Sequence, residues 1–138
     1  MIACMNIVGI GTDIIECVRI GKMIEKHGEL FLERVFTARE LRYCQERKNA
    51  TEHFAGRWAA KEAILKCLGT GWRRGICWTD VEVRNNPEGA PYVYLGGAAK
   101  EHARSLLISD IWLSISHCRT YATATAVAVS GTDARAAE

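Results

Sequence analysis

Apolar and polar positions change period several times along the chain, and each change marks an element. Met5 to Thr12 (MNIVGIGT) is a short apolar run with two glycines, the pattern of a buried strand ending in a close-packed turn, which leaves Asp13 at the strand end. From Ile14 to His27 the residues Ile14, Ile15, Val18, Met23 and Ile24 return near helical spacing, and Gly28 is placed as a C-terminal stop. Thr37-Ala-Arg-Glu40 has the form of a capping box, in which hydroxyl and carboxylate satisfy orphan amides reciprocally, and predicts a short helix from Ala38 to about Arg47. Asn49 followed by Glu52 offers a similar start. Phe54, Trp58, Lys61, Leu65 and Leu68 then recur at three- and four-residue steps until Gly69, which makes this the longest predicted helix.

Gly69-Thr-Gly-Trp-Arg-Arg-Gly75 breaks the pattern with a glycine-rich, basic loop. Beyond it, Cys77 to Arg84 and Tyr92 to Leu95 read as strands joined by a Pro87 to Pro91 turn, and Ala98 to Leu107 reads as a helix. Ile111 to Ser116 and Tyr121 to Ser130 are β-rich runs separated by His117-Cys-Arg-Thr120, the mark of a hairpin with a longer loop. The order strand, helices, strands, helix, strands predicts an α+β fold with an antiparallel sheet and a long central helix. At 138 residues there is room for one domain, with 5–130 folded and the small, polar stretch 131–138 a disordered tail. Gly9-Ile-Gly11 after a strand suggests a dinucleotide fingerprint, but Ile14 stands where the third glycine belongs and no parallel repeat follows.

Composition narrows the class. With 49% hydrophobic and 25% charged residues the chain matches globular averages, and no apolar run approaches the roughly 18 to 20 residues that span a bilayer. The N-terminus lacks a charged region and a small-residue cleavage site, so the expectation is a cytoplasmic protein without membrane association. None of the six cysteines forms a C-x-x-C pair, so free thiols are expected and a zinc site is not. A net charge of +2 is too small to argue for nucleic acid, and attention passes to where the cations cluster.

Asp13 at a strand end and Glu62 in a core-facing helix would be costly to desolvate unless paired or bound to a metal. Magnesium takes one or two protein carboxylates and fills its other positions with water and phosphate oxygens, so this pair suits a pyrophosphate-bearing substrate. The alternative is that Asp13 caps the first helix and Glu62 pairs with Lys66 one turn later. Arg57, Lys61, Lys66, Arg73 and Arg74, with Gly69, Thr70, Gly71 and His117, have the chemistry of an anion cradle, glycines admitting phosphate to backbone amides while the cations supply charge. On the first helix Arg19, Lys22 and Lys26, with Met23 beside them, form a basic stripe suited to an acidic partner helix, or else a solvated face.

Three segments in order resemble the holo-acyl-carrier-protein synthase family. They are Gly9-Ile-Gly-Thr-Asp13-Ile with Arg19 following, Phe54-Ala-Gly-Arg-Trp-Ala-Ala-Lys61-Glu62-Ala-Ile-Leu-Lys66-Cys-Leu-Gly-Thr-Gly71, and Ser114-Ile-Ser-His117 with Tyr121-Ala. Val35-Phe-Thr-Ala-Arg-Glu40 is similar to a fourth, weaker block, so the resemblance runs from Met5 to about Val129. It implies a phosphopantetheinyl-transferase-like α+β fold assembling as a homotrimer, coenzyme A in clefts between subunits, and Mg²⁺ held by Asp13 and Glu62. It implies transfer of 4′-phosphopantetheine to a serine of an acyl carrier protein, with release of adenosine 3′,5′-bisphosphate, in fatty acid biosynthesis. By the same resemblance Glu62, Lys66 and His117 are the catalytic candidates and Arg57, Lys61, Lys66, Gly69, Thr70, Gly71 and His117 bind coenzyme A. Arg19, with Lys22, Met23 and Lys26 beside it, meets the carrier. Trp58 departs from a more usual phenylalanine and Cys118 from a small serine.

In the mechanism so implied, metal and lysines stabilise charge on the β-phosphate while the serine oxygen attacks in line, and the base is Glu62 or His117. Two other readings use the same residues: a non-catalytic coenzyme A or nucleotide-binding module, and a metal-dependent pyrophosphate hydrolase. Binding without bisphosphate release marks the first, and product release without a carrier marks the second.

Overall fold

A computed structural model of the chain describes residues 4–73 and 75–131. In order these form β1 (Met5–Glu16), α1 (Cys17–His27), α2 (Glu29–Val35), α3 (Ala38–Gln45), α4 (Ala50–Leu68), a 3-10 turn (Trp78–Asp80), β2 (Val81–Asn85), β3 (Pro91–Leu95), α5 (Gly97–Ser105), β4 (Asp110–His117) and β5 (Tyr121–Gly131). One antiparallel sheet has the order β1-β5-β4, and β2 and β3 form a separate hairpin.

The α+β class and the antiparallel pairing agree with the sequence pattern, and several element boundaries differ for identifiable reasons. β1 runs on to Glu16, and the helix expected from Ile14 starts only at Cys17. Ile14 is exposed and Ile15 buried, so the neighbouring isoleucines are a strand alternation and not a helical face. Asp13 therefore lies within the strand, three residues before its end, and does not cap α1. Gly28, read as a stop, both ends α1 and begins α2, a helix absent from the sequence reading whose Phe31, Leu32 and Val35 are buried. Its φ of 54° lies in the left-handed region that favours glycine, and this sets the sharp change of direction between the two helices. Asn49 makes no side-chain cap on α4, whereas the Thr37/Glu40 capping box is complete, at 3.2 and 3.0 Å. The start of the strand expected from Cys77 is instead the 3-10 turn, held by the Cys77 amide donating to Asp80 at 3.0 Å. Of the expected tail, Gly131 completes β5 and 132–138 lie outside the described residues.

α4, 19 residues long, lies on the three-stranded sheet and is buried on two sides. Its sheet side is small: Gly56, Ala59, Ala60, Ala63 and Cys67, facing Ala122, Ala124, Ala126 and Ala128 of β5, which are all buried. The approach is closest at β1. A Cβ added to Gly11 would stand 1.9 Å from the Ala63 carbonyl oxygen, and one added to Gly9 would stand 2.1 Å from that of Cys67. The opposite side of the helix carries the large residues: Phe54 meets Phe36 at 5.0 Å between ring centroids, and Trp58 meets Phe31 at 5.9 Å.

Among the described residues no helix covers the far face of the sheet. Ile7, Ile10 and Ile14 of β1 are 65%, 62% and 62% exposed and Trp112 of β4 is 51% exposed, so β1 is not the buried strand that its apolar run suggests. A shift of register between Ile7 and Gly9 turns the glycines inward and Ile10 and Ile14 outward. β5 is the central strand, its alanines covered by α4.

Gly11→Ala is expected to destabilise the protein by about 1–3 kcal/mol or more, because backbone and not a movable side chain receives the new methyl. Gly96→Ala, where nothing lies within 4 Å of the added carbon, is the control and should leave the urea midpoint nearly unchanged. Equal midpoints for the two variants would show that α4 can lift off β1 at no cost.

Candidate active site

The close approach of α4 to β1 brings Asp13 to Glu62 and Lys66, residues far apart in sequence. Asp13 follows Gly9 and Gly11 at two-residue spacing, so its side chain is on the same face of the strand. Lys66 reaches back across β1, donating to the Thr12 carbonyl at 2.9 Å and to Asp13 Oδ1 at 3.2 Å. Glu62 lies one turn before Lys66 and accepts from the Trp72 indole Nε1–H at 3.4 Å. Burial pushes the Glu62 carboxyl above the usual carboxylate range, and the Asp13 charge adds to the rise, against Trp72 and Lys66, which lower it. The two carboxylates thus feel each other, and in place of the expected Glu62–Lys66 pair the lysine's partner is Asp13.

Two repelling carboxylates, one half-buried, fit a hard divalent cation. The oxygen donors of two carboxylates suit a cation that takes only one or two of them and completes its shell with water and phosphate oxygens. Beside the pair lie Gly69 and Gly71, exposed and with left-handed φ of 78° and 59°, and Thr70, whose hydroxyl donates to the Gly71 carbonyl at 3.1 Å. Arg73 is exposed on the same loop, and Arg74 lies outside the described residues.

His117 is not part of this cluster. It sits against the N-terminal half of α4, its Nδ1 3.4 Å from Glu52 and its ring 4.8 Å from that of His53, close to Gly56. From Gly56 to Glu62 the helix rises roughly 9 Å at 1.5 Å per residue. Arg57 belongs to the His117 end. With Tyr43, His53, Gly56, Asn85 and His117 it lines a cavity of about 140 Å³. Its guanidinium lies 3.8 Å over the Tyr43 ring and donates to Asn85, while Nε is buried without a hydrogen-bond partner. His53 there is pushed below the usual histidine range, first by burial and then by His117.

Lys61 is removed from the expected coenzyme A set. It is fully buried, pairs with Glu40 at 2.7 Å and donates to the carbonyls of Trp78 and Val81 at 3.0 and 2.6 Å. Glu40 also accepts from the Val83 amide at 2.9 Å, so the pair bolts α3, α4 and β2 together and has no donor left for a phosphate.

Sequence reasoning missed Trp72, His53, Glu52 and Asn85. His53 lies four residues before Arg57, a same-face spacing that was available as a signal. Trp72 had none beyond its place in the glycine loop. It meets Trp78 at 3.8 Å, Trp78 meets Trp58 at 4.4 Å, and this stack carries the unusual Trp58 to Glu62.

A model of the 4′-phosphopantetheinyl transferase superfamily matches residues 9–126. A holo-[acyl-carrier-protein] synthase of Rhodopirellula baltica is 49% identical over 120 residues, covering 87% of this chain and 95% of the relative. Among solved structures, the holo-[acyl-carrier-protein] synthase of Neisseria meningitidis superposes with a TM-score of 0.83 at 32% identity, covering 89% of this chain and 98% of that one. The Helicobacter pylori synthase in complex with coenzyme A superposes with a TM-score of 0.77 at 31% identity, over 86% and 98%.

Lys61→Ala should cost about 3–5 kcal/mol of stability by leaving the Glu40 carboxylate buried and unpaired. Its Michaelis constant for coenzyme A, measured on whatever folded protein remains, should stay near normal. A selective rise in that constant without loss of stability would return Lys61 to the substrate site.

Proposed function

Because the chain belongs to the holo-[acyl-carrier-protein] synthases of the 4′-phosphopantetheinyl transferase superfamily, we propose that Asp13, Glu62 and Lys66 form the reacting centre of the transfer such enzymes perform. The chain is a transferase that moves the 4′-phosphopantetheine group of coenzyme A to a serine of apo acyl carrier protein, releasing adenosine 3′,5′-bisphosphate, in fatty acid biosynthesis. The observation that carries the site is the Lys66 ammonium on Asp13 Oδ1, with Glu62 one turn earlier on α4 and the open glycine loop just beyond it.

In this reading Asp13 and Glu62 hold Mg²⁺, which when bound supplies positive charge to the pyrophosphate oxygens. Lys66 restrains Asp13 and presents its ammonium, on a side chain 54% exposed, to the phosphate that gathers charge as the serine oxygen attacks. Gly69 to Gly71 leave backbone open for phosphate to approach, and Arg73 adds charge at the loop. Trp72 holds Glu62 by its indole N–H. The serine proton passes to Glu62 or to His117.

His117 and Arg57 lie too far along α4 to serve the same centre within one chain. They complete it in a homotrimer, with coenzyme A bridging the Asp13 centre of one subunit and the Arg57–His117 cavity of the next. The bare apolar face of Ile7, Ile10, Ile14 and Trp112 supports such an assembly. Arg19, Lys22, Met23 and Lys26 are all exposed on α1, as a stripe that meets an acidic carrier must be. Among the described residues no helix is long and apolar enough to cross a membrane, and the six free thiols suit a reducing, cytoplasmic setting.

Mass spectrometry of an apo carrier incubated with the chain, coenzyme A and magnesium should show the gain of one phosphopantetheine. Asp13→Asn and Glu62→Gln should each cut that transfer about a hundredfold or more, since a Lewis-acid metal contributes several kcal/mol. Metal-free Glu62→Gln should melt no lower than wild type at neutral pH. A carboxyl whose folded pKa is raised destabilises the fold once ionised in both states, so the amide's advantage should vanish as pH falls towards the carboxylate range. Near-normal rates for both amides at limiting magnesium would make the carboxylates structural.

Arg19→Glu with Lys26→Glu should raise the carrier Michaelis constant roughly tenfold, about 1.4 kcal/mol of lost complementarity, and leave that for coenzyme A unchanged. Equal effects on both substrates, or a carrier constant indifferent to salt, would remove α1 as the electrostatic dock.

A further inference from the structure

The transfer leaves unused two cysteines that meet where α1 leaves the sheet. β1 and β5 end their pairing at Glu16 and Tyr121, and the next amide, that of Cys17, donates to the Thr120 carbonyl at 2.9 Å. Cys17 is the first residue of α1, and its buried thiol donates to the carbonyl of Cys118 at 3.6 Å. Cys118 opens the turn between β4 and β5. Its amide donates to the Tyr121 carbonyl at 2.8 Å, and its sulfur accepts from the Tyr121 amide at 3.4 Å. Both sulfurs therefore rest on one four-residue turn. A carbonyl oxygen lies about 2.4 Å from its own Cα, so the Cys17 sulfur is within roughly 6 Å of the Cys118 Cα, and the bond requires the Cys118 sulfur to leave the Tyr121 amide and the Cys17 sulfur to leave the Cys118 carbonyl.

We propose that Cys17 and Cys118 are a modification site, forming a reversible disulfide on exposure to a hydroperoxide and locking the start of the carrier-docking helix to the turn that carries His117. Accessibility divides their labour. Cys118 is exposed and meets the oxidant, whereas Cys17 is buried beside it, its thiol pushed up first by burial and then by Glu52 and Cys118. The Cys118 thiolate attacks the distal oxygen of the hydroperoxide, so that an S–O bond forms, the O–O bond breaks and the alkoxide or hydroxide leaves, oxidising the sulfur by two electrons to a sulfenic acid. The Cys17 thiolate then attacks that sulfur, the S–S bond forms, and hydroxide departs as water with the thiol proton. Cys44 and Cys67 are buried in the core, out of an oxidant's reach.

The linkage must disturb both neighbours of the turn. Freeing Cys118 from the Tyr121 amide shifts the segment that holds His117 against Glu52 and His53, and drawing Cys17 out of its buried place moves the first turn of α1, which bears Arg19. This inference rests on the transfer reading only for its consequence, since the bond itself is read by mass.

The test treats reduced, full-length protein with hydrogen peroxide, alkylates the free thiols and maps the peptides without reduction. The expected result is one peptide pair joined through Cys17 and Cys118, absent from Cys118→Ser, Cys17→Ser and Cys17→Ala. Transfer by oxidised wild type should fall roughly tenfold to a hundredfold, the scale of a misplaced catalytic group, and return with dithiothreitol, while the cysteine variants keep their rates through the same treatment. Cys118 found as sulfinic acid with Cys17 alkylated, or a cross-link between chains on non-reducing electrophoresis, would overturn the site. Equal inactivation of wild type and Cys118→Ser would overturn its control of the enzyme.

Discussion

The approach of α4 to β1 through Gly9 and Gly11 is the constraint on which the rest of the molecule depends. With 1.9 and 2.1 Å between an imagined Cβ and helix carbonyl oxygens, no larger residue fits without moving one element. At that separation Asp13, two residues beyond Gly11, comes beside Lys66, one turn after Glu62, and the alanines of β5 are buried under Ala60 and Ala63. A wider gap filled by leucine or valine would give as large a core but would set the carboxylates apart, and the site would lose the mutual repulsion that a cation relieves. The small residues of this interface serve geometry as much as packing.

The second feature is that one helix carries two lysines, five residues apart, in opposite roles. Lys61 points away from the sheet into the layer of α3 and β2, where Glu40 and two carbonyls take all three of its protons. Burial lowers its pKa and Glu40 resists the fall, so the pair is held by mutual need and breaks only at high cost. Lys66, just over one turn later, emerges beside the glycine loop and keeps its head exposed. A stretch that reads as one basic cradle is therefore a structural bolt and an exposed cation, separated by helical phase.

The same phase argument divides α4 along its length. Its C-terminal half faces Asp13 and the loop, and its N-terminal half carries His53 and Arg57 and faces His117, with the Trp58–Trp78–Trp72 stack running behind Glu62. In the function proposed above each half is part of one coenzyme A site, and the uncovered isoleucines of β1 lie on the free side of the same sheet. An assembly in which each chain lends one half to its neighbour satisfies both observations with one set of contacts.

Much of this was legible in the sequence because it is local. The capping box at Thr37, the 3- and 4-residue recurrence of α4, its glycine stop, and the hairpin at His117 follow from residues within a few positions of one another, and the ordered motifs named Asp13, Glu62, Lys66 and His117 as candidates. α2 was hidden because Gly28 reads equally as an end and as a beginning, and the inward or outward sense of β1 because a bulge at Val8 reverses the alternation on which such a reading rests. Only tertiary structure could decide which lysine is buried, since Lys61 and Lys66 have the same chemistry and differ in what the fold places opposite them. Nor does any pattern along the chain reveal that Trp72 folds back onto Glu62, or that Cys17 meets Cys118 across 101 residues, because the first depends on the path of the glycine loop and the second on the antiparallel register of β1 and β5.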